Sequence, residues 1–384
     1  MTFLNKYIDE VSESEEDKMA YATDASGVIG KVRRVICPKN LDEVRKAVIY
    51  AKRNKMDLVP RGAGTGLVGG AVPNDSIVLD VSRMNKILEI DKIGKIVTVE
   101  PGVVLDDLNS VLGELFFPIV PGSHRACTIG GMIATNAAGM MALKYGTTCD
   151  WIEELEVVDD TYRVKKIKEI KDFCGREGTT GIIVKAKLRV TIRPEKTSLN
   201  LFSFQSITPM LEMVNELKVR ADVIAIEYLD KITSRISGLG EKFHLIVEYE
   251  NDSGKINEEK EKEKVWKIRE ALSSQLISRK LEVAEDPWIP DEGLGQFLYW
   301  LAENKIPAFG HIGFGVIHPH FRRNDMNIEM MFNIVKKLNG KVSGEHGIGV
   351  VKRNFISDEE KVRFMRLKQI YDKENIFNRG KIYG

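Results

Sequence analysis

Residues 60–70 read PRGAGTGLVGG, and five of these eleven residues are glycine. The apolar stretch at residues 76–81 (SIVLDV) follows as a predicted strand. Glycine reaches φ > 0 and lets backbone N–H groups approach a ligand closely. Consecutive N–H groups in such a loop form a concave site for anionic oxygens. A flexible surface loop is the alternative, because the spacing matches neither the Gly-x-Gly-x-x-Gly nor the Walker motif in its expected context.

Two further loops of small residues follow in the N-terminal half. Residues 121–139 read PGSHRACTIGGMIATNAAG, and residues 176–183 read REGTTGII before a strand predicted at 184–192. Pro194 marks the predicted end of the first domain. Three such loops in one α+β domain do not form the dinucleotide fingerprint of a doubly wound sheet.

Length and composition exclude several classes of protein. The 384 residues suffice for two domains with a sizeable core. The net charge of +1 argues against a nucleic-acid partner or a membrane-surface role. No apolar run of about 18 residues is present, and the N-terminus does not resemble a signal peptide. We therefore expect a cytoplasmic protein.

The four cysteines, Cys37, Cys127, Cys149 and Cys174, are widely spaced and contain no Cys-x-x-Cys pair. This spacing excludes a cysteine-ligated iron–sulfur cluster within the chain and argues against a zinc ribbon. Four separate thiols fit a reducing cytoplasm, where we expect them to be free, buried and small hydrophobic side chains.

The middle of the chain, at residues 197–253 and 283–325, is predicted to alternate strands and helices. A charged helix is expected between them, at about residues 257–279, and the run EEKEKEK at 258–264 predicts a solvated helix face. Capping boxes are predicted at Asn40 with Glu43 and at Ser357 with Glu360.

Three of the six histidines lie within residues 311–320, which read HIGFGVIHPH. His318 and His320 are two residues apart and share one face of a predicted strand. His311 precedes a glycine turn and could return to the same point. The group therefore predicts a metal site, although a structural role is the alternative for any single histidine.

Six motifs in order resemble the type 4 FAD-binding oxidase/transferase family: PRGAGTGLVGG, CTIGGMIATNAAGMMALKYG, EGTTGII, GHIGFGVIH, SGEHGIG and NIFNRGK. This is the D-lactate dehydrogenase and glycolate oxidase flavoprotein group, and the resemblance covers residues from about 20 to 384. It implies an α+β fold with a two-subdomain FAD-binding domain of the vanillyl-alcohol-oxidase type at residues 1–195. An α+β (ferredoxin-like) cap would occupy residues 196–335, and residues 336–384 would return to the FAD domain.

The resemblance implies that three loops and one asparagine hold non-covalent FAD. The pyrophosphate cradle would comprise Arg61, Gly62, Gly64, Thr65, Gly66, Leu67 and Gly69. The flavin would be lined by Pro121, Gly122, Ser123, Thr128, Gly130, Gly131, Ala134, Thr135 and Asn136. The adenine–ribose portion would contact Glu177, Gly178, Gly181 and Ile182. Asn378 would lie near the isoalloxazine ring, although its usual following proline is Arg379 here. His124 raises covalent flavin attachment as an alternative.

The resemblance also assigns His311, His318 and Glu345 as ligands of a divalent metal. Two imidazoles and one carboxylate suit zinc, manganese or iron. The implied reaction oxidises a small D-2-hydroxy acid, of D-lactate or glycolate type, by hydride transfer to flavin N5. His346 is the predicted general base. Arg269, in a Trp-x-x-Arg segment, would bind the substrate carboxylate, with a solvated helix arginine as the alternative.

Departures from the family leave two other functions open. Phe314, Val316 and His320 replace an aspartate and two asparagines that family members usually have, which changes the surroundings of the metal. One alternative is a non-redox transferase such as alkylglycerone-phosphate synthase, although no tyrosine follows the histidine motif as that chemistry suggests. The other is a flavin-binding subunit of a multi-protein oxidase. The expected partners are a small 2-hydroxy acid, an unidentified electron acceptor, and either a second copy of the chain or an oxidase complex.

Overall fold

The computed structural model describes residue 8 and residues 10–383, and the chain divides into two compact units. Unit 1 comprises residues 1–137, 147–193 and 346–384. Unit 2 comprises residues 138–146 and 194–345. The chain therefore enters unit 2 twice and leaves it for the last time between Glu345 and His346.

The described residues of unit 1 form three sheets. A four-stranded sheet has the order β1-β2-β4-β3, in which β4 is parallel to β2 and β3. Its strands are β1 (Val11–Ser12), β2 (Lys31–Ile36), β3 (Leu58–Arg61) and β4 (Asn74–Asp80). An antiparallel five-stranded sheet has the order β5-β6-β10-β8-β9. Its strands are β5 (Ile87–Asp91), β6 (Ile96–Val99), β8 (Ile152–Val158), β9 (Val164–Ile167) and β10 (Ile182–Arg189), and β7 (Leu115–Phe116) pairs with β11 (Thr191–Ile192).

The helices of unit 1 are α1 (Glu15–Tyr21), α2 (Leu41–Arg53), α3 (Leu105–Val111), α4 (Ile129–Thr135) and α12 (Asp358–Tyr371). Both predicted N-terminal caps are confirmed, since Asn40 accepts from the Glu43 N–H and Ser357 forms a capping box with Glu360. The apolar face of α2 packs into a core with β3 and β4. This β2-α2-β3 crossover places the first glycine loop after the carboxyl end of β3, where parallel sheets commonly bind ligands.

Unit 2 is built on an antiparallel six-stranded sheet of order β12-β14-β13-β16-β17-β15. Its strands are β12 (Ser198–Phe204), β13 (Val223–Leu229), β14 (Phe243–Tyr249), β15 (Val283–Ala284), β16 (Ala308–His311) and β17 (Val316–Phe321). Its helices are α5 (Ala142–Tyr145), α6 (Ile207–Lys218), α7 (Lys231–Ile236), α8 (Glu259–Glu270), α9 (Leu272–Ile277), α10 (Asp291–Glu303) and α11 (Asn327–Lys337). The predicted α+β class is confirmed.

The charged helix predicted at residues 257–279 is two helices, because α8 ends and α9 begins around Ala271. The run at 258–264 is exposed as expected, except for Lys262. The Lys262 Nζ donates to the backbone oxygen of Thr197, which accounts for its burial. None of the helices that the structure describes is long and apolar enough to span a membrane.

The expectation of four free thiols is wrong for one pair. Cys149 and Cys174 form a disulfide with their Cα atoms 5.8 Å apart, whereas Cys37 and Cys127 are free and buried. The two bonded cysteines are 25 residues apart in sequence, so their spacing alone gave no sign that the fold brings them together. The bond links the 3-10 turn Thr148–Trp151 to the segment before Glu177.

Candidate cofactor and metal sites

The first glycine loop presents a row of backbone donors. In the part of the chain that the structure describes, the N–H groups of residues 64–70 donate to no protein acceptor. Gly64 and Gly69 have φ of 69° and 73°, the left-handed region in which successive N–H groups converge on an anion. A Cβ on Gly62 would lie 2.2 Å from the Thr128 Oγ1, so this loop and the second loop meet closely. The loop has the chemistry of a diphosphate cradle.

Arg61 adds a positive charge to this loop. Its Nη1 donates to the backbone oxygen of Thr23 over 2.7 Å, and its guanidinium lies 5.3 Å from the centre of the Tyr21 ring. The side chain packs so closely against Gly64 that a Cβ there would lie 2.2 Å from the Arg61 Nη2. The cation is therefore held in place beside the unpaired N–H groups.

The second loop forms the start and the end of α4. Thr128 caps the helix by accepting from the Gly131 N–H, and Asn136 ends it with φ of 52°. The Asn136 Oδ1 accepts from the Cys149 N–H over 2.9 Å, which ties the end of α4 to the disulfide. A Cβ on Gly122 would meet no atom within 4 Å, so this part of the loop has open space beside it.

Asn378 connects the first and third loops. Its Nδ2 donates to the backbone oxygens of Gly70, at 2.9 Å, and Glu177, at 2.6 Å. Its Oδ1 is buried and has no hydrogen-bond partner among the described residues. The residue is 1% exposed. An oriented amide with an unused acceptor fits a ligand that carries an N–H donor, as the flavin ring does.

The Glu177 carboxylate contacts the segment that follows His346. It accepts from the N–H of Ile348 at 2.6 Å and from the N–H of Gly349 at 2.9 Å. Burial raises the pKa of Glu177, and these two N–H donors oppose the rise. The predicted contact between Glu177 and an adenine–ribose group stays a prediction, but its side chain has a second task in unit 1.

His124, in the second loop, is paired with the side chain of Asp106. Its Nδ1 lies 2.7 Å from an Asp106 carboxylate oxygen, and both side chains are partly exposed. The Asp106 carboxylate is therefore a side-chain partner of His124, and covalent flavin attachment at this histidine stays an untested alternative.

Three side chains predicted as metal ligands converge in unit 2. The ligand atoms of His311, His318 and Glu345 lie within 4.8 Å of one another. The His318 Nε2 is 3.3 Å from one Glu345 oxygen, and the His311 Nε2 is 3.6 Å from the other. Two ligands that share an ion at about 2.1 Å can be at most about 4.2 Å apart, so both separations fit one metal ion.

The strands explain this convergence. His311 ends β16 and His318 lies in β17, and the turn between them pairs the two strands in antiparallel register. The two imidazole rings meet edge to face, with centres 5.2 Å apart and planes at 89°. His311 and His318 are both nearly buried, so the cluster lies in a poorly hydrated environment.

Glu227, which the sequence did not single out, holds His311 from the other side. This β13 residue is 0% exposed, and its Oε1 lies 2.6 Å from the His311 Nδ1. Its Oε2 accepts from the Arg269 Nε, also at 2.6 Å. The solvated alternative for Arg269 is wrong, because the residue is buried and its guanidinium lies 4.3 Å from the centre of the Phe309 ring.

The buried charges of this group stabilise one another. Burial would raise the pKa of Glu227, but His311 and Arg269 outweigh it and hold the pKa well below its ordinary value. Burial would lower the pKa of His311, but Glu227 and Glu345 raise it to about 9. Without a metal ion, His311 is therefore a cation between two carboxylates, and a divalent ion would take the place of its proton.

Asp286, also missed from the sequence, supports Glu345. Its Oδ2 accepts from the N–H of Glu345 at 2.8 Å, the N–H of Gly344 at 3.1 Å and the hydroxyl of Ser343 at 2.8 Å. The residue is 0% exposed. One buried carboxylate therefore fixes the turn from which Glu345 reaches the two histidines.

The three unusual residues near the cluster do not belong to it. The His320 Nδ1 lies 3.1 Å from the backbone oxygen of His318, and its ring packs against Phe309. Phe314 lies in the turn after His311, where its backbone oxygen accepts from the Trp288 Nε1, and Val316 is fully buried in β17. Phe314 and Val316 therefore contribute no side-chain ligand to the cluster.

Comparisons with known proteins match both halves of the chain to flavoprotein families. Residues 32–168 match the family model of an FAD binding domain. Residues 251–382 match the C-terminal domain of FAD linked oxidases.

Relatives of known activity resemble the chain over nearly its whole length. The glycolate oxidase subunit GlcD of Bacillus subtilis is 29% identical over 97% of this chain and 93% of its own length. The D-lactate dehydrogenase of Archaeoglobus fulgidus is 29% identical, with coverage of 91% and 90%. The D-2-hydroxyglutarate dehydrogenase of Stutzerimonas stutzeri is 27% identical, with coverage of 91% and 90%.

A solved structure of alkyldihydroxyacetonephosphate synthase has a similar fold. Its TM-score is 0.70 at 17% identity, and the match covers 96% of this chain and 83% of that one. At this identity the likeness concerns the fold alone.

Proposed function

The chain belongs to the FAD-linked oxidase family, and we propose that it is an FAD-dependent dehydrogenase of a small D-2-hydroxy acid, of D-lactate or glycolate type. The 2-oxo acid is the product, and a divalent metal ion assists the reaction. The buried cluster of His311, His318 and Glu345 is the observation that carries this proposal. Its two imidazoles and one carboxylate form a donor set suited to zinc, manganese or iron(II).

The residues of unit 1 fit FAD. The N–H groups of residues 64–70 and the Arg61 guanidinium supply donors and charge for the diphosphate. Asn378 offers its unused Oδ1 to an N–H of the ring system. FAD, when bound, supplies the acceptor for the hydride that leaves the substrate carbon.

The residues of unit 2 fit a metal ion and an anionic substrate. His311, His318 and Glu345 would hold the ion, which supplies a Lewis acid that lowers the pKa of a substrate hydroxyl. Arg269 uses Nε on Glu227, while its two Nη groups donate to no acceptor in the described chain. Those groups are suited to bind a substrate carboxylate in bidentate fashion.

His346 completes the proposal as general base. It follows the metal ligand Glu345 directly, and its segment is fixed in unit 1 by the hydrogen bonds from Ile348 and Gly349 to Glu177. A histidine titrates near neutral pH and can accept the proton of a substrate hydroxyl.

A second candidate is a flavin-binding subunit that works only within a larger oxidase. Similarity to a protein named as a glycolate oxidase subunit favours it. The same flavin and metal chemistry would then serve an electron acceptor on another chain. Turnover by the purified chain with an artificial electron acceptor separates the two candidates.

The decisive experiment is anaerobic reduction of the bound flavin. The purified holoprotein is mixed with lactate, glycolate and 2-hydroxyglutarate, using both enantiomers of the chiral acids, before and after treatment with a metal chelator. We expect bleaching of the visible flavin band by a D-acid or glycolate and much slower bleaching after chelation. If no 2-hydroxy acid bleaches the flavin, the dehydrogenase proposal is wrong.

A further inference from the structure

We propose that Glu227 is a positioning residue that uses one carboxylate to fix both a metal ligand and the substrate-binding arginine. The inference rests on the proposed function, because it gives His311 and Arg269 the roles described above. Glu227 is fully buried in β13, a strand whose other residues are nearly all apolar. A charged side chain at such a position is costly unless both of its oxygens are well bonded.

The first half of the inference concerns His311. Tyr228 pairs with Gly310 and Leu229 with Phe309, so the same register brings Glu227 opposite His311. The 2.6 Å contact between the Glu227 Oε1 and the His311 Nδ1 places the proton on Nδ1 when the ring is neutral. The Nε2 lone pair then faces Glu345 and His318, where a metal ion needs it. Such outer carboxylates fix the tautomer and orientation of histidine ligands.

The second half concerns Arg269. Its Nε donates to the Glu227 Oε2, and its guanidinium carbon lies 4.3 Å from the centre of the Phe309 ring. Phe309 and His311 are two residues apart in β16 and therefore lie on the same face of that strand. The hydrogen bond from Nε and the contact with the Phe309 ring together restrict the direction of the two Nη groups.

The two contacts of Glu227 together set the distance between the metal site and the Arg269 guanidinium. A 2-hydroxy acid carries its hydroxyl and its carboxylate on adjacent carbons, so the metal ion and the arginine must keep a constant separation. Because His311 and Arg269 bind the two oxygens of one carboxylate, a displacement of Glu227 affects both. Glu227 thereby matches the site to acids whose hydroxyl is adjacent to the carboxylate.

A glutamine cannot replace Glu227 in this task. It offers one acceptor oxygen, and its NH₂ group would face a donor on either His311 or Arg269. An aspartate keeps both acceptors but is one methylene shorter and cannot reach both partners.

The experiment compares four variants of the full-length holoprotein: Glu227→Gln, Glu227→Asp, Glu227→Gln with Arg269→Met, and the control Glu248→Gln. Glu248 lies in β14 beside β13 and, among the described residues, forms no hydrogen bond or ion pair with His311 or Arg269, although its charge acts on Glu227 through space. Zinc, manganese and iron(II) affinities are measured by competition with a chelator, with iron(II) kept under anaerobic conditions. The kcat and KM are measured with the most active acid of the panel, and the visible flavin spectrum reports on unit 1.

We expect Glu227→Gln to weaken metal affinity by about 10- to 100-fold and to raise KM, with an unchanged flavin spectrum. In the double variant the glutamine oxygen can turn to the His311 N–H, so metal affinity recovers by about tenfold or more while KM stays high. Glu248→Gln keeps both values. A general loss of folding could not explain a recovery of metal affinity in the double variant while KM stays high.

Two different results overturn the inference. If wild type binds metal and oxidises an acid, but Glu227→Gln keeps the same metal affinity and KM, Glu227 is not a positioning residue and the proposed function stands. If Glu227→Gln is insoluble, the same measurements are made on Glu227→Asp. Unchanged metal affinity and KM in that variant contradict the inference. If wild type binds none of the three metals, or no acid reduces its flavin, the proposed function fails, and this inference fails with it.

Discussion

The Asp286 carboxylate accepts a hydrogen bond from the backbone N–H of Glu345 over 2.8 Å. The same oxygen accepts from Gly344 and Ser343, so one buried group fixes three consecutive residues. Glu345 alone among the predicted metal ligands lies in a turn rather than a strand. Hydrogen bonds to Asp286 therefore fix the position of Glu345, whereas strand pairing fixes the positions of His311 and His318.

Replacement Asp286→Asn should weaken metal binding by about tenfold or more, because outer-sphere partners of metal ligands contribute on this scale. The amide oxygen can still accept one bond, but its NH₂ group would oppose one of the three donors. Metal affinity is measured by chelator competition on the purified protein. Retention of wild-type affinity would show that the turn holds Glu345 without the carboxylate.

Replacement His318→Ala should abolish tight metal binding and acid oxidation but leave the protein yellow. It removes one of the three predicted ligand atoms in unit 2, whereas the proposed FAD cradle consists of residues of unit 1. Metal content by elemental analysis and flavin content by absorbance give the two readings. His320→Ala is the matched control, since His320 lies outside the ligand cluster. Loss of FAD from His318→Ala would show that the histidine site is misplaced.

Replacement Glu177→Gln should lower kcat by about tenfold or more with a smaller change in KM. The Glu177 Oε1 accepts from both Ile348 and Gly349, and its Oε2 accepts from Gly349 as well. A glutamine that keeps Oε1 in place turns its NH₂ group toward the Gly349 N–H, so the anchor of the segment after His346 is weakened. A displaced general base impairs proton transfer, a step worth about 10²- to 10⁴-fold in rate. Steady-state kinetics over a range of pH measure the effect. A lower FAD content with an unchanged kcat per bound flavin would instead support a contact of Glu177 with the cofactor.

Replacement Glu248→Gln should change how stability depends on pH. Burial raises the pKa of Glu248 to about 7, against the lowering effects of Thr197 and Lys262. The unfolded chain therefore loses this proton at lower pH than the folded chain, and stability falls as pH rises from about 4.5 to about 7. The Tm of Glu248→Gln minus the Tm of wild type should therefore be larger at pH 8 than at pH 5. Parallel Tm curves for the two proteins would contradict this assignment.

Removal of the Cys149–Cys174 disulfide should destabilise unit 1. A cross-link that closes a loop of this size contributes about 3 kcal/mol in the chain-entropy treatment, since it restricts the unfolded chain. Dithiothreitol should therefore lower the Tm of wild type but not that of Cys149→Ala/Cys174→Ala. Equal Tm values for wild type with and without reductant would show that the bond does not form in solution.

The sequence was informative where residue type and spacing both carry the chemistry. His311 and His318 flank a glycine turn, and antiparallel pairing of β16 and β17 brings them together as expected. The first glycine loop likewise has the donors predicted for it, because glycine content predicts both its conformation and its open N–H groups.

The residues that support the cluster were harder to find. Glu227 is one acidic residue within VIAIEYL, and its value depends on the register between β13 and β16, which no local pattern reveals. A single charge in a wholly buried strand is nevertheless a usable signal. Asp286 and the cysteine pair act on residues far away in sequence, so only the fold shows their partners.

The open donors at residues 64–70 have a thermodynamic consequence. A ligand that binds them only in the folded state raises the free energy of unfolding. The increase is about 2.7 kcal/mol when the free ligand concentration is 100 times Kd. The Tm of unit 1 therefore depends on the ligand concentration as well as on the sequence. It should rise with the concentration of free FAD, so that protein made in flavin-poor cells would be the form most exposed to proteolysis.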